Sequence, residues 1–145
     1  MIAKLPKTIK VFTDGCAKGN PGPAGVGYVL QSIDGLVLDE GFADLGIATN
    51  NEAEYRALIM AMERCIELGI KSAYFFTDSE LMAKQLTGVY KIKNDRLAEL
   101  AKKVSALRKQ FEKFQLTHVR RELNARADKL ANKALERKEE TAAEG

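Results

Sequence analysis

Apolar and polar positions alternate with a two-residue period over residues 8–14, with Ile9 and Val11 on one side and Lys10 and Phe12 on the other, which predicts a strand ending at Asp14. The glycine-rich segment that follows, GCAKGNPGPAG, reads as turn-forming throughout. Two further apolar runs, 26–33 and 36–45, flank Asp34-Gly35, a strong hairpin signal, so three consecutive antiparallel strands are expected. The period then lengthens. Tyr55, Leu58, Ile59, Met62 and Ile66 keep helical spacing, with Asn50 or Asn51 as the expected cap and Gly69 as the stop. Residues 73–77 read as a strand leading into Asp78 and Ser79, and 81–86 as a short helix closed by Gly88.

Over residues 94–111 the apolar stripe Leu97, Leu100, Ala101, Val104, Leu107 and Phe111 predicts a second long helix. A fifth strand is expected at 114–119, then a last helix capped by Asn124 and built on Ala127, Leu130, Ala131, Ala134 and Leu135. From Glu136 the sequence ERKEETAAEG carries no apolar stripe and reads as a frayed tail on a core of about residues 8–135. The order βββαβααβα implies an α/β fold: one five-stranded mixed sheet with antiparallel pairs first, parallel crossovers later, and helices on both faces.

At 145 residues the chain fits one domain, residues 1–145, and 46% hydrophobic with 30% charged residues is enough to bury a core. No apolar run approaches the roughly 18 residues of a membrane span, and the opening MIAKLPK has no signal-peptide-like stretch, so a cytoplasmic, monomeric protein without membrane contact is expected. Cys16 and Cys65 lack CxxC spacing, and His118 is the only histidine. Thiol redox chemistry, cysteine-based zinc sites and paired-histidine motifs are therefore disfavoured, which leaves carboxylates to carry any chemistry.

Charge is segregated. Residues 1–83 hold 7 Lys/Arg against 11 Asp/Glu, whereas residues 84–121 hold 11 against 3. Such a basic segment either solvates a helix face or meets a polyanion.

Two segments are alike: Val11-Phe12-Thr13-Asp14-Gly15 and Phe75-Phe76-Thr77-Asp78-Ser79. If their strands are parallel neighbours, both aspartates emerge at one edge of the sheet, where open α/β folds place ligands. Glu54 and Asp128, each near a helix N-terminus, could join them. Taken singly, each acid also reads as a turn former, a cap or a complement to a helix dipole. Together, four convergent carboxylates would repel strongly and call for hard divalent cations, Mg²⁺ first and Mn²⁺ second.

Thr13-Asp14-Gly15, Gly19-Asn20-Pro21-Gly22, Thr49-Asn50-Asn51-Glu52-Ala53-Glu54, Thr77-Asp78-Ser79 and Asn124-Ala125-Arg126-Ala127-Asp128 follow one another in an order that resembles the type 1 ribonucleases H. The resemblance implies a five-stranded ribonuclease H-like sheet and hydrolysis of the RNA strand of RNA/DNA hybrids to 5′-phosphate and 3′-hydroxyl ends. It implies two Mg²⁺ ions, with Asp14 bridging them, Asp128 joining it on one, and Glu54 and Asp78 on the other, an arrangement suited to in-line displacement. It also implies that Asn20, Asn50 and Asn51, with Glu54, meet RNA 2′-hydroxyls and that Thr49 helps seat a DNA phosphate. Asn20 equally reads as a turn residue, and Thr49, Asn50 and Asn51 as helix caps.

Two features depart from better-known relatives. Residues 119–124 run straight into the last helix where many carry a longer loop with a histidine, so His118 is expected to be structural or at the surface, and Arg120 or Arg121 stands in its stead. Residues 88–93 take the place of a basic insertion, as in the compact archaeal and plant-like branch. Substrate grip then falls to dispersed residues such as Lys84, Lys91, Lys93, Lys102 and Lys103. The alternatives are a nuclease that also cuts double-stranded RNA, and a binding module of the same fold without turnover.

Overall fold

The computed structural model describes residues 5–144, with side-chain surroundings for residues 5–136. Residues 1–4, part of the opening read above for a signal peptide, and Gly145 lie outside the described residues. Five strands, β1 (Thr8–Ala17), β2 (Gly22–Gln31), β3 (Val37–Ala48), β4 (Ser72–Thr77) and β5 (Lys113–His118), form one sheet in the order β3-β2-β1-β4-β5. The pairs β1/β2 and β2/β3 are antiparallel and β1/β4 and β4/β5 parallel. The helices are α1 (Asn50–Glu67), α2 (Glu80–Leu86), α3 (Asp95–Arg108) and α4 (Ala125–Glu144), with a 3₁₀ turn at Arg121–Asn124. No helix among the described residues is long and apolar enough to cross a membrane.

The alternation along β1 sorts the core. Ile9 and Val11 bury against Tyr55, Leu58 and Met62 of α1, a cluster that also takes in Phe75, Met82 of α2 and Leu97 and Val104 of α3. Phe12 and Val29 face the other way, onto Ala127 and Leu130 of α4. Helices therefore cover both faces of the sheet, and Asp14, in step with Phe12, emerges on the α4 side.

Several boundaries differ from the sequence reading. The glycine-rich segment is mostly strand: β1 continues to Ala17 and β2 starts at Gly22, so the turn is only residues 18–21, closed by Lys18 N–H donating to Pro23 O at 2.8 Å. The glycines serve close approach here. A Cβ on Gly15 would lie 2.2 Å from the Ala53 carbonyl carbon, and one on Gly27 would lie 2.7 Å from Ala127 O and Ala131 N, so both helix backbones press onto the sheet where side chains are missing. Gly27→Ala is expected to push α4 off β2, costing about 1–3 kcal/mol in urea denaturation. An unchanged midpoint would contradict this packing.

Thr49, not Asn50 or Asn51, caps α1: its Oγ1 accepts from Glu52 N–H at 3.1 Å and donates to Glu52 Oε1 at 3.2 Å. Asn124 does not cap α4 either. It closes the 3₁₀ turn, buried, and its Nδ2 donates to Thr13 O at 2.9 Å, which straps the start of α4 to β1. The expected tail is helical, with α4 reaching Glu144. Glu, Lys, Arg and Ala dominate that stretch and sustain a helix without an apolar stripe.

Candidate active site

In the β1/β4 register Thr13 stands beside Thr77, so Asp14 and Asp78 occupy the next position on two parallel strands. There β4 ends while β1 continues along β2, opening a cleft at the C-terminal edge of the sheet. Asp78 is free of capping duty because Ser79 takes it, its Oγ accepting from Met82 N–H at 3.1 Å. On the side where β4 has ended, Gly15 N–H donates to Glu54 Oε1 at 2.9 Å, and this bond, with the close seat of α1 on Gly15, holds Glu54 over Asp14.

Asp14, Glu54 and Asp78 each offer a carboxylate oxygen within 4.8 Å of the other two. Asp128, in the first turn of α4, borders the same cavity of about 520 Å³ and lies against Asp14. The expected four-acid cluster is thus a tight group of three with Asp128 at its margin.

Asp14 is 3% exposed and Glu54 9%. Burial, then the charges of Glu54 and Asp78 and the approach of Asp128, push the Asp14 carboxyl up to about 10. Burial and the Asp78 charge likewise raise Glu54 well above the usual carboxylate range, against the pull of the Gly15 N–H. Among the described residues Asp14 Oδ2 is buried without a hydrogen-bond partner. An orphaned carboxylate oxygen facing two more carboxylates fits a divalent cation: it would supply the missing partner and bring the acids back to their charged form.

The remaining expected residues fall into two groups. Asn20, Asn50 and Asn51 are exposed: Asn50 Oδ1 accepts from Ala17 N–H at 2.8 Å, Asn20 Oδ1 accepts from Asn50 N–H at 3.0 Å, and Asn50 and Asn51 line the cavity whereas Asn20 does not. Lys84, Lys91, Lys93, Lys102 and Lys103 do not line it. Lys84 pairs with Glu80 at 2.7 Å and lies over the Tyr90 ring, and Lys103 stands 3.8 Å from Glu63. Of the two arginines weighed in place of a loop histidine, Arg121 borders the cavity, its guanidinium 3.8 Å from Asp128 Oδ1, whereas Arg120 does not line it. His118 is exposed at the end of β5.

Cys16 and Asn132 also line the cavity and are not among the site residues expected from the sequence. The signal was present in the spacing, because Cys16 follows Asp14 by one strand period and Asn132 follows Asp128 by one helical turn.

Residues 12–134 match the family model described as reverse transcriptase-like. The chain is 43% identical over 128 residues to a protein of Halobacterium salinarum named ribonuclease HI, covering 88% of this chain and 64% of that one. It is 39% identical over 136 residues to a bifunctional protein of Mycobacterium tuberculosis, covering 93% of this chain and 37% of the other. The chain thus spans about two thirds or less of the length of these relatives. The crystal structure of the Halobacterium ribonuclease H1 superposes with a TM-score of 0.87, covering 89% of this chain and 98% of that one. A structure of LC11-RNase H1 in complex with an RNA/DNA hybrid, at 41% identity, superposes with a TM-score of 0.85 over 89% of this chain and 97% of that one.

Proposed function

Because the chain belongs to the reverse transcriptase-like family and, within it, to the type 1 ribonucleases H, we propose that it hydrolyses the RNA strand of RNA/DNA hybrids. The observation that carries this reading is the convergence of Asp14, Glu54 and Asp78, with Asp128 beside them, where β1 and β4 part. A silent binding module fits that cluster poorly, since buried like charges oppose a polyanion and are costly to keep without a cation.

Asp14, Glu54, Asp78 and Asp128 would hold the metal, for which Mg²⁺ is the proposed ion, Mn²⁺ serving in its place. Bound there, it would neutralise the acids and stabilise the charge that builds on the phosphate oxygens during displacement. Hydrolysis needs no side-chain nucleophile: water's oxygen bonds to phosphorus as the bond to the 3′-oxygen breaks, leaving 5′-phosphate and 3′-hydroxyl ends.

Asn20 and Asn50 commit their carbonyl oxygens to the scaffold. Their amide N–H groups remain to donate to ribose 2′-hydroxyls, the group that separates RNA from DNA. Arg121 cannot move protons, because a guanidinium stays charged at any working pH. Its part in the proposal is electrostatic, drawing the phosphate toward an otherwise acidic cavity.

The test uses a hybrid labelled on its RNA strand, with double-stranded RNA and DNA duplexes alongside. Cleavage of the hybrid with Mg²⁺, abolished by EDTA and yielding 5′-phosphates, is expected. Hybrid left intact with either ion would overturn the proposal. Equal cleavage of double-stranded RNA would broaden the substrate instead.

A further inference from the structure

Asn132 follows Asp128 by four residues, so both side chains lie on one face of α4. Asn132 Nδ2 donates to the Asp128 carbonyl oxygen at 2.9 Å and reaches the carboxylate Oδ1 at 3.4 Å. On the other side, the Cys16 thiol points at Asn132 Oδ1, 3.9 Å away. The amide has one sensible orientation: turned over, it would set its oxygen against the carbonyl and carboxylate oxygens of Asp128 and its NH₂ against the thiol. Cys16 shares the strand face of Asp14, so Asn132 ties β1 to α4 beside the approach of Asp14 to Asp128.

Arg121 lies 3.8 Å from the same Oδ1, but its side chain is 78% exposed and water competes for it. Asn132 is half-buried and anchored at both ends of its amide. We propose that Asn132 is a positioning residue for Asp128, holding Oδ1 so that the other carboxylate oxygen is presented to a cation shared with Asp14. This rests on the metal-dependent reading above and deepens it, because Asp128 is the acid standing outside the tight group of three. An unrestrained carboxylate would have to be ordered each time a cation binds, whereas a tethered one is already in place. Partners that orient a metal-binding side chain typically change affinity or activity by about 10–100-fold when removed.

Two substitutions separate this role from a purely helical one. Asn132→Ala removes both contacts to Asp128 and the one to Cys16. Asn132→Ser keeps a hydroxyl that bonds back to the Asp128 carbonyl but is too short for the carboxylate. Mn²⁺ binding is measured by calorimetry on the protein alone, and hybrid cleavage is followed against metal concentration. Both variants are expected to bind Mn²⁺ about 10-fold more weakly, to need correspondingly more metal for half-maximal cleavage, and to keep KM for the hybrid within about twofold. Wild-type Mn²⁺ affinity in either variant overturns the proposal. If the unaltered protein cleaves no hybrid, the ribonuclease reading fails by itself, while the calorimetry still decides the role of Asn132.

Discussion

Asp14→Asn is expected to lower hybrid cleavage by about a thousandfold or more, equivalent to about 4 kcal/mol of transition-state stabilisation. Asp14 is the hub of the site: the charges of Glu54, Asp78 and Asp128 all bear on it, and its Oδ2 is a buried acceptor without a partner among the described residues. Asparagine keeps the shape but removes the charge and replaces one acceptor with a donor, so the cavity loses the group best placed to hold a cation. Hybrid affinity, measured by fluorescence anisotropy, should stay within a few-fold, because Asn20, Asn50, Asn51 and the basic residues of α3 are untouched. Single-turnover cleavage within tenfold of wild type would remove Asp14 from the centre of the site.

The second expectation concerns stability in the absence of metal. The Asp14 carboxyl stands at about 10 in the folded protein against an ordinary value of 3.8, and Glu54 is also raised. Between those limits the unfolded chain has released protons that the folded one retains. The unfolded state therefore binds fewer protons, and stability falls as pH rises across the window from about 4 to about 10. Each such group removes about 1.4 kcal/mol per pH unit at most. Urea denaturation in EDTA should accordingly show a loss of about 4 kcal/mol or more between pH 5 and pH 8. Asp14→Asn should flatten that slope and be the more stable protein at pH 8, and saturating Mg²⁺ should offset the loss in the unaltered chain. A slope that is equal in wild type and Asp14→Asn would contradict the coupling of these acids.

The elements that carry the acids were legible because their patterns are local. The alternation around Ile9 and Val11 and the two Thr-Asp endings mark strand ends, and the parallel register then sets Asp14 beside Asp78. Placing Glu54 over Asp14 depends on a contact that no local pattern announces, the seating of α1 on Gly15. β1 and β2 likewise extend by pairing with each other through a segment of glycines, alanine and proline that reads as turn. Asn124 has the residue type of a cap, yet its amide goes to Thr13 O, 111 residues away in sequence, because the parting of β1 from β4 leaves that carbonyl to be satisfied.

Polar surface residues were the least legible. Lys84 reads as a phosphate contact from charge alone, but the helix places Glu80 one turn before it and takes up that charge. Asn132 gave no signal by type, only by its spacing from Asp128.

In the proposed function, acids 24 to 114 positions apart in the chain make one cation site at the split of the sheet. Anomalous diffraction from crystals soaked in Mn²⁺ tests it most directly. A manganese peak is expected within coordination distance of the Asp14 carboxylate and of at least one of Glu54, Asp78 and Asp128. Manganese bound only at other surfaces, with the cavity between these acids lacking a peak at saturating metal, would contradict it.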